Sequence, residues 1–241
     1  LDEPFTSISK LDNRMFASVK VNLSEDDTIP DSVWTELSIL SGPMADSLGV
    51  GAMIDTVRLV DTGLEGDSIA ADSVFSRGFD SPLPIGTIGS VKFLFLASLK
   101  GRLHTAYDTL KLINRPPEIV SISSLDSVAR PVSASDYARD SIFVEVDDPD
   151  GLGDVNSVIF QIVKPNGTLG VGLDGSTSFD LHDDGVYTGE KYFDHTANDG
   201  IYSGGVSFGL GNELGTYTLR FVAQDLSNAL SDTAKFYVVL Y

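Results

Sequence analysis

The sequence predicts an all-β protein made of two antiparallel β-sandwiches in tandem. Three observations lead there. The first is an internal repeat: Leu59-Val60-Asp61-Thr62-Gly63 and then Asp72-Ser73-Val74-Phe75-Ser76 return as Leu181-His182-Asp183-Asp184-Gly185 and then Asp199-Gly200-Ile201-Tyr202-Ser203. The offsets are 122 residues at the first anchor (59 to 181) and 127 at the second (72 to 199), so the second copy carries a longer loop. A near-constant offset marks duplicated modules. The second observation is alternation of apolar and polar residues, which places successive side chains on opposite faces of a strand. The third is the regular interruption of these runs by Gly, Pro, Asp and Ser clusters, the spacing of short strands joined by turns.

In the first module an opening strand is expected within Phe5–Ser9, followed by strands near Phe16–Leu23, Val33–Leu40, Thr56–Val60, Ser73–Phe79, Val91–Ala97 and Thr109–Ile113. In the second the strands are expected near Ile119–Ser123, Ser141–Val146, Ser157–Val163, Thr177–Leu181, Gly200–Phe208, Thr216–Ala223 and Ala234–Leu240. The two sets support each other position by position. Val91, Phe93 and Phe95 match Tyr217, Leu219 and Phe221 at an offset of 126. Val19 and Val21 match Val144 and Val146, Val33 and Leu37 match Val158 and Ile162, and Leu110 and Leu112 match Phe236 and Val238.

The segment from Pro30 to Leu40 admits two readings. Pro30 at a first-turn position, with Val33, Leu37 and Leu40 on one face, suits a helix. Its partner segment from Asn156 to Val163 is rich in β-branched residues, and the repeat favours a strand. Trp34, between Val33 and Leu37, is expected to be buried in the sandwich rather than to form a platform for sugar stacking. Asn114-Arg115-Pro116-Pro117 reads as a short, stiff hinge, because paired prolines hold an extended path. It divides the chain into modules 1–114 and 115–241.

Composition limits the function. Thirty-five acidic against sixteen basic side chains leave a formal charge of −19, which repels nucleic-acid phosphate and attracts cations or basic partners. A hydrophobic content of 42% in 241 residues is enough to bury a core in each module, which sets the chain apart from a disordered acidic tail. The chain has no cysteine, so disulfides, thiolate nucleophiles and cysteine-bound zinc are excluded. No uncharged run approaches the roughly 20 residues of a membrane span, and membrane insertion of this segment is not expected. The opening at Leu1, without an apolar leader, leads to the expectation of a mature or trimmed soluble fragment, a monomer by default.

Pro116-Pro117-Glu118-Ile119 opens the second module, Val146-Asp147-Asp148-Pro149-Asp150-Gly151 follows a strand, and the acidic loop runs from Asp183-Asp184-Gly185 to Asp199-Gly200-Ile201-Tyr202. In these features the chain resembles the Ig-like or fibronectin-type-III-like repeats of bacterial secreted and surface proteins, over most of the second module and more faintly over the first. The resemblance implies an Ig-like sandwich in a multidomain exported protein, extracellular, at the cell surface or periplasmic. Such modules serve as spacers or adhesion elements and are sometimes stiffened by calcium.

The chemistry on offer is oxygen ligation. Asp183, Asp184, Asp194, Asn198 and Asp199 fall in one loop, and calcium takes six to eight oxygens of this kind. Glycines at 185 and 200 allow the tight turns. The spacing is not that of an EF-hand, since the sixth position from Asp194 is Asp199 where glycine is required. The same residues also suit turns in which aspartates bond their own backbone. In the first copy Thr62, Ala71 and Ser73 replace Asp184, Asn198 and Gly200, which leaves Asp61, Asp67 and Asp72 as a weaker set. A second candidate group is Asp147, Asp148, Asp150 and Asp154, whose counterpart is Ser24-Glu25-Asp26-Asp27 with Asp31. His182 and His195 flank the long loop, where surface histidines beside carboxylates are ordinary.

No nucleophile elbow, zinc-binding helix or phosphate-cradling loop is present. The expected function is therefore non-enzymatic: a structural, adhesion or spacer module with calcium at its acidic loops. The alternative is an accessory module binding carbohydrate or a basic protein surface, attached to a larger secreted enzyme or secretion system.

Overall fold

The computed structural model describes residues 1–9, 12–23, 29–172, 174–188 and 193–241. The chain divides into two compact units, Leu1–Asn114 and Arg115–Tyr241.

The first unit contains β1 (Asp2–Ser9), β2 (Arg14–Lys20), β3 (Ser32–Ser41), α1 (Pro43–Leu48), β4 (Met53–Leu59), β5 (Val74–Asp80), β6 (Gly89–Leu99) and β7 (Arg102–Leu112). They form a three-stranded sheet ordered β1-β2-β5 and a four-stranded sheet ordered β4-β3-β6-β7, antiparallel throughout. Alternate residues of each strand point inward and meet in one core, with Met15, Ala17 and Val19 from the first sheet against Leu37, Phe93 and Phe95 from the second.

The second unit contains β8 (Glu118–Ser123), β9 (Ser127–Val128), β10 (Tyr137–Asp147), a 3₁₀ turn over Leu152–Asp154, β11 (Val155–Val163), β12 (Phe179–Leu181), β13 (Ile201–Gly209), β14 (Gly215–Asp225) and β15 (Ala234–Leu240). The sheets are ordered β13-β10-β8 and β12-β11-β14-β15-β9, with β9 parallel to β15 and the other pairs antiparallel. Apart from β9, this is the topology of the first unit. In both, the third long strand crosses to the opposite sheet, which closes the core between two layers.

The matched residues share their burial. Val91, Phe93 and Phe95 are 2%, 0% and 0% exposed, and Tyr217, Leu219 and Phe221 are 1%, 0% and 0%. Tyr217 does more than fill space: near the start of β14 its hydroxyl donates to the Glu213 carbonyl at 2.8 Å. This is the tyrosine corner of Greek-key sandwiches, which pins the loop entering the strand. Val91 stands at the equivalent place in the first unit and has no hydroxyl to offer.

The segment after Pro30 is strand β3, the reading the repeat favoured, with Val33, Thr35, Leu37 and Ile39 inward. Other expectations are corrected. Period two then puts Trp34 on the outer face of the sheet, half-buried, with its indole N–H 3.4 Å from Glu36. The expected burial of Trp34 in the sandwich is wrong because its flanking residues hold the inward positions. The strand expected at Thr109–Ile113 begins at Arg102, directly after a tight hairpin in which Lys100 and Gly101 both have positive φ (49° and 73°). The helix α1, with Pro43 in its first turn, connects β3 to β4. β12 is shorter than expected, covering Phe179–Leu181. Among the described residues, no helix is long and apolar enough to cross a membrane.

Candidate metal centres

The repeated acidic loop is built the same way in both units. In the first, Asp61 accepts the amides of Asp72 at 3.2 Å and Ser73 at 2.9 Å. In the second, Asp183 accepts those of Asp199 at 3.2 Å and Gly200 at 2.9 Å. Asp67 takes the Gly63 amide at 2.6 Å, and Asp194 takes the Gly185 amide. Asp72 and Asp199 each accept an amide two residues on, from Val74 at 2.9 Å and Ile201 at 3.0 Å. The left-handed backbone positions also coincide: Gly63 and Gly185 have φ of 71° and 72°, Ala71 and Asn198 of 60° and 59°, Ser73 and Gly200 of 68° and 83°. Each aspartate thus fixes one crossing of the loop by a charge-assisted bond to the backbone.

The same folding gathers carboxylates. One oxygen from each of Asp61, Asp67 and Asp72 lies within 4.8 Å of the others, and the same holds for Asp183, Asp194 and Asp199. Asp67 and Asp194 are buried, and Asp72 and Asp199 are exposed. Burial pushes Asp67 up, but the amides of Gly63, Thr62 and Ile69 and the Ser76 hydroxyl outweigh it and hold the carboxyl below its usual range. Burial also pushes Asp183 up; the amides of Gly200 and Asp199 oppose it only in part, and the Asp199 charge adds to it. One aspartate of the expected set does not join: Asp184 is exposed and bonds the Val186 amide at 2.9 Å. Asn198 lies in the same loop, where its backbone N–H donates to the Asp183 carbonyl at 3.3 Å.

The second candidate group has a different character. Asp148, Asp150 and Asp154 are 1%, 2% and 0% exposed, and one oxygen from each lies within 4.8 Å of the others. Asp147 is left out, since alternation at the end of β10 turns it to solvent. Asp148 Oδ1 accepts the Asp150 amide at 2.7 Å, whereas its Oδ2 is buried without a hydrogen-bond partner. Arg115 meets Asp150 twice: its amide donates to Oδ2 at 2.8 Å and its guanidinium lies 3.4 Å from Oδ1. Burial first, and then the charges of Asp154, Asp150 and Asp225, push the Asp148 carboxyl up to about 6. The first-module counterpart, Ser24-Glu25-Asp26-Asp27, lies outside the described residues.

Sequence reasoning missed Asp225. It ends β14, is 0% exposed, and its Oδ1 accepts the Ser227 amide and hydroxyl, both at 2.9 Å, and the Ala229 amide at 2.8 Å. The Leu226 amide donates to the Asp154 carbonyl at 2.8 Å, which brings this turn onto the acidic group. An aspartate followed two residues later by serine, at the end of a strand, was the available signal. The long loop abuts the same group, for the Val146 amide donates to the Gly200 carbonyl at 2.9 Å. Tyr202 stands near both; burial, and then Asp183 and Asp148, push its hydroxyl up to about 12.

The histidines take other roles. His182 and Ser203 exchange backbone hydrogen bonds at 2.9 and 2.8 Å, and His195 stacks on Tyr187 with ring centroids 4.2 Å apart. His104 lies on β7 and is exposed.

No family model matches the chain, and no curated protein matches it. Among solved structures it is similar to the fibronectin(III)-like modules of Clostridium thermocellum CbhA, at 12% identity over 98% of this chain and 94% of that one, with a TM-score of 0.30. It is similar to a tetra-tandem repeat in the extending region of a large adhesion protein, at 13% identity over 96% of this chain and 47% of that one, with a TM-score of 0.37. It is also similar to the chicken interferon gamma receptor alpha chain, at 14% identity over 99% and 98% of the two chains, with a TM-score of 0.35.

Proposed function

We propose that this chain is a non-enzymatic structural or adhesion module of an exported bacterial protein, a spacer of two sandwiches stiffened by calcium at its acidic loops. The duplicated aspartate-stapled loop carries the reading. Each unit uses its carboxylates to hold one long loop against its own sandwich, and one oxygen from each of three of these aspartates lies close enough to the others to share a cation. A cation that binds the folded form alone adds about 2.7 kcal/mol at a hundredfold excess over its Kd. For units of this size that raises the melting midpoint by roughly 10 °C. Thermal melting of the full chain with calcium and with chelator tests this, and coincident midpoints overturn the calcium part.

A second reading has its own observation. Trp34 on β3 and Tyr107 on β7 share the outer face of the four-stranded sheet with Leu94 and Leu96 of β6, which pair with Tyr107 and Trp34 across the strands. Tyr107 is 67% exposed, with the Lys92 ammonium 5.2 Å from its ring centroid. Such a face suits stacking against a glycan, as in a ligand-binding accessory module. Titration with soluble polysaccharides, read by Trp34 fluorescence, tests it; an unmoved spectrum across neutral and acidic glycans overturns it.

A further inference from the structure

We infer that Asp148, Asp150 and Asp154 form the principal calcium site of the second unit, a buried seat distinct from the stapled loop, which rests on the calcium reading above. In the loop sites the carboxylates are committed to backbone amides, and one aspartate of each, Asp72 or Asp199, is exposed. The buried group is built otherwise. All three side chains are at most 2% exposed, their oxygens converge within 4.8 Å, and Asp148 Oδ2 has no hydrogen-bond partner. A carboxylate oxygen enclosed in this way lacks both water and a donor, and a cation supplies what is missing.

The charge balance points the same way. Asp225 brings a fourth buried carboxylate close enough to act on Asp148, and Arg115 answers one of these charges through Asp150. A dication neutralises most of the remainder. The donors at the converging point are carboxylate oxygens, a hard set that selects calcium or magnesium over zinc or copper. Calcium fits the manner of assembly: the acids come from an irregular loop and a 3₁₀ turn, and its coordination tolerates such geometry where magnesium requires a near-ideal octahedron. Bound there, the ion joins the end of β10 to the 3₁₀ turn, and through the Leu226–Asp154 bond to the turn after β14.

The test is calorimetric titration of the metal-free full chain with calcium chloride. It is repeated on Asp148→Asn, on Asp154→Asn, and on the paired loop variant Asp72→Asn with Asp199→Asn. The inference expects calcium binding by the parent chain, at least a tenfold loss of affinity at the tightest site in Asp148→Asn and in Asp154→Asn, and retention of that tightest site in the loop variant, which loses only the weaker binding of the loops. Metal-free Asp148→Asn should also melt no lower than the parent, because the amide keeps the bond from Asp150 and removes a repelled charge. That result separates loss of a ligand from loss of the fold. Undiminished binding in both buried-site variants, with loss in the loop variant, overturns the inference and leaves the loop reading standing. Absence of binding by the parent chain up to about millimolar calcium, the weak end of extracellular sites, overturns both.

Discussion

The carboxylate of Asp61 reaches across the acidic loop to take the backbone amide of Ser73 at 2.9 Å. In the second unit Asp183 does the same for Gly200, at the same distance. The two bonds are one structural device used twice, and the differences around them become experiments.

Asp61→Ala and Asp183→Ala each remove an acceptor for two amides. Each should destabilise its own unit by about 1–3 kcal/mol, the range for losing hydrogen bonds to a charged group. Denaturant unfolding, resolved into two transitions where the units melt separately, measures the loss. An unchanged first transition in Asp61→Ala shows that the staple contributes nothing.

Ser73 occupies the left-handed region, with φ of 68°, where the second copy has Gly200. Ser73→Gly should therefore stabilise the first unit, by up to about 1 kcal/mol after allowing for the added freedom of the unfolded chain. The reverse change should be costly: a Cβ at position 200 meets the Val146 carbonyl oxygen at 3.0 Å and Leu152 at 3.2 Å. Melting midpoints that move in opposite directions for Ser73→Gly and Gly200→Ser confirm the pair.

Tyr217→Phe keeps the buried ring and loses the bond to the Glu213 carbonyl. A loss of about 1 kcal/mol is expected, confined to the second unit, with the far-ultraviolet spectrum unchanged. A midpoint equal to that of the parent chain would show the corner to be dispensable.

The pH dependence of the metal-free chain has a defined sign. Asp148 is raised in the folded state to about 6 from an ordinary 3.8, so between these values the folded chain holds a proton that the unfolded chain has released. Its favourable contribution is complete below about pH 4 and is lost as the pH rises through 6, a change on the order of 2 kcal/mol. Asp67 acts in another window: held below its usual range, it contributes stability above pH 4 that disappears as the pH falls further. Saturating calcium takes the place of the proton on Asp148, so the decline between pH 4 and 7 should vanish. Melting curves across that range, metal-free and calcium-loaded, should diverge as the pH rises; parallel curves contradict the assignment.

The alternation of apolar residues was enough to determine the strands of both cores, because burying one face of a sheet imposes a period of two on the sequence. That rule placed Val91, Phe93 and Phe95 beside Tyr217, Leu219 and Phe221, and the repeat set Asp61 against Asp183 as well. It was weaker at β7, an edge strand whose first four residues are exposed and carry no inward pattern. It failed for Trp34, whose face depends on the register that Val33 and Leu37 impose together. Which acids converge was decided by the tertiary structure alone. Asp225 stands 77 residues beyond Asp148 and reaches the buried group because β14 pairs with β11, ending one turn beside the other. Local sequence records which residues prefer water. The enclosure of like charges is a property of loops packed together, and no window of the chain contains it.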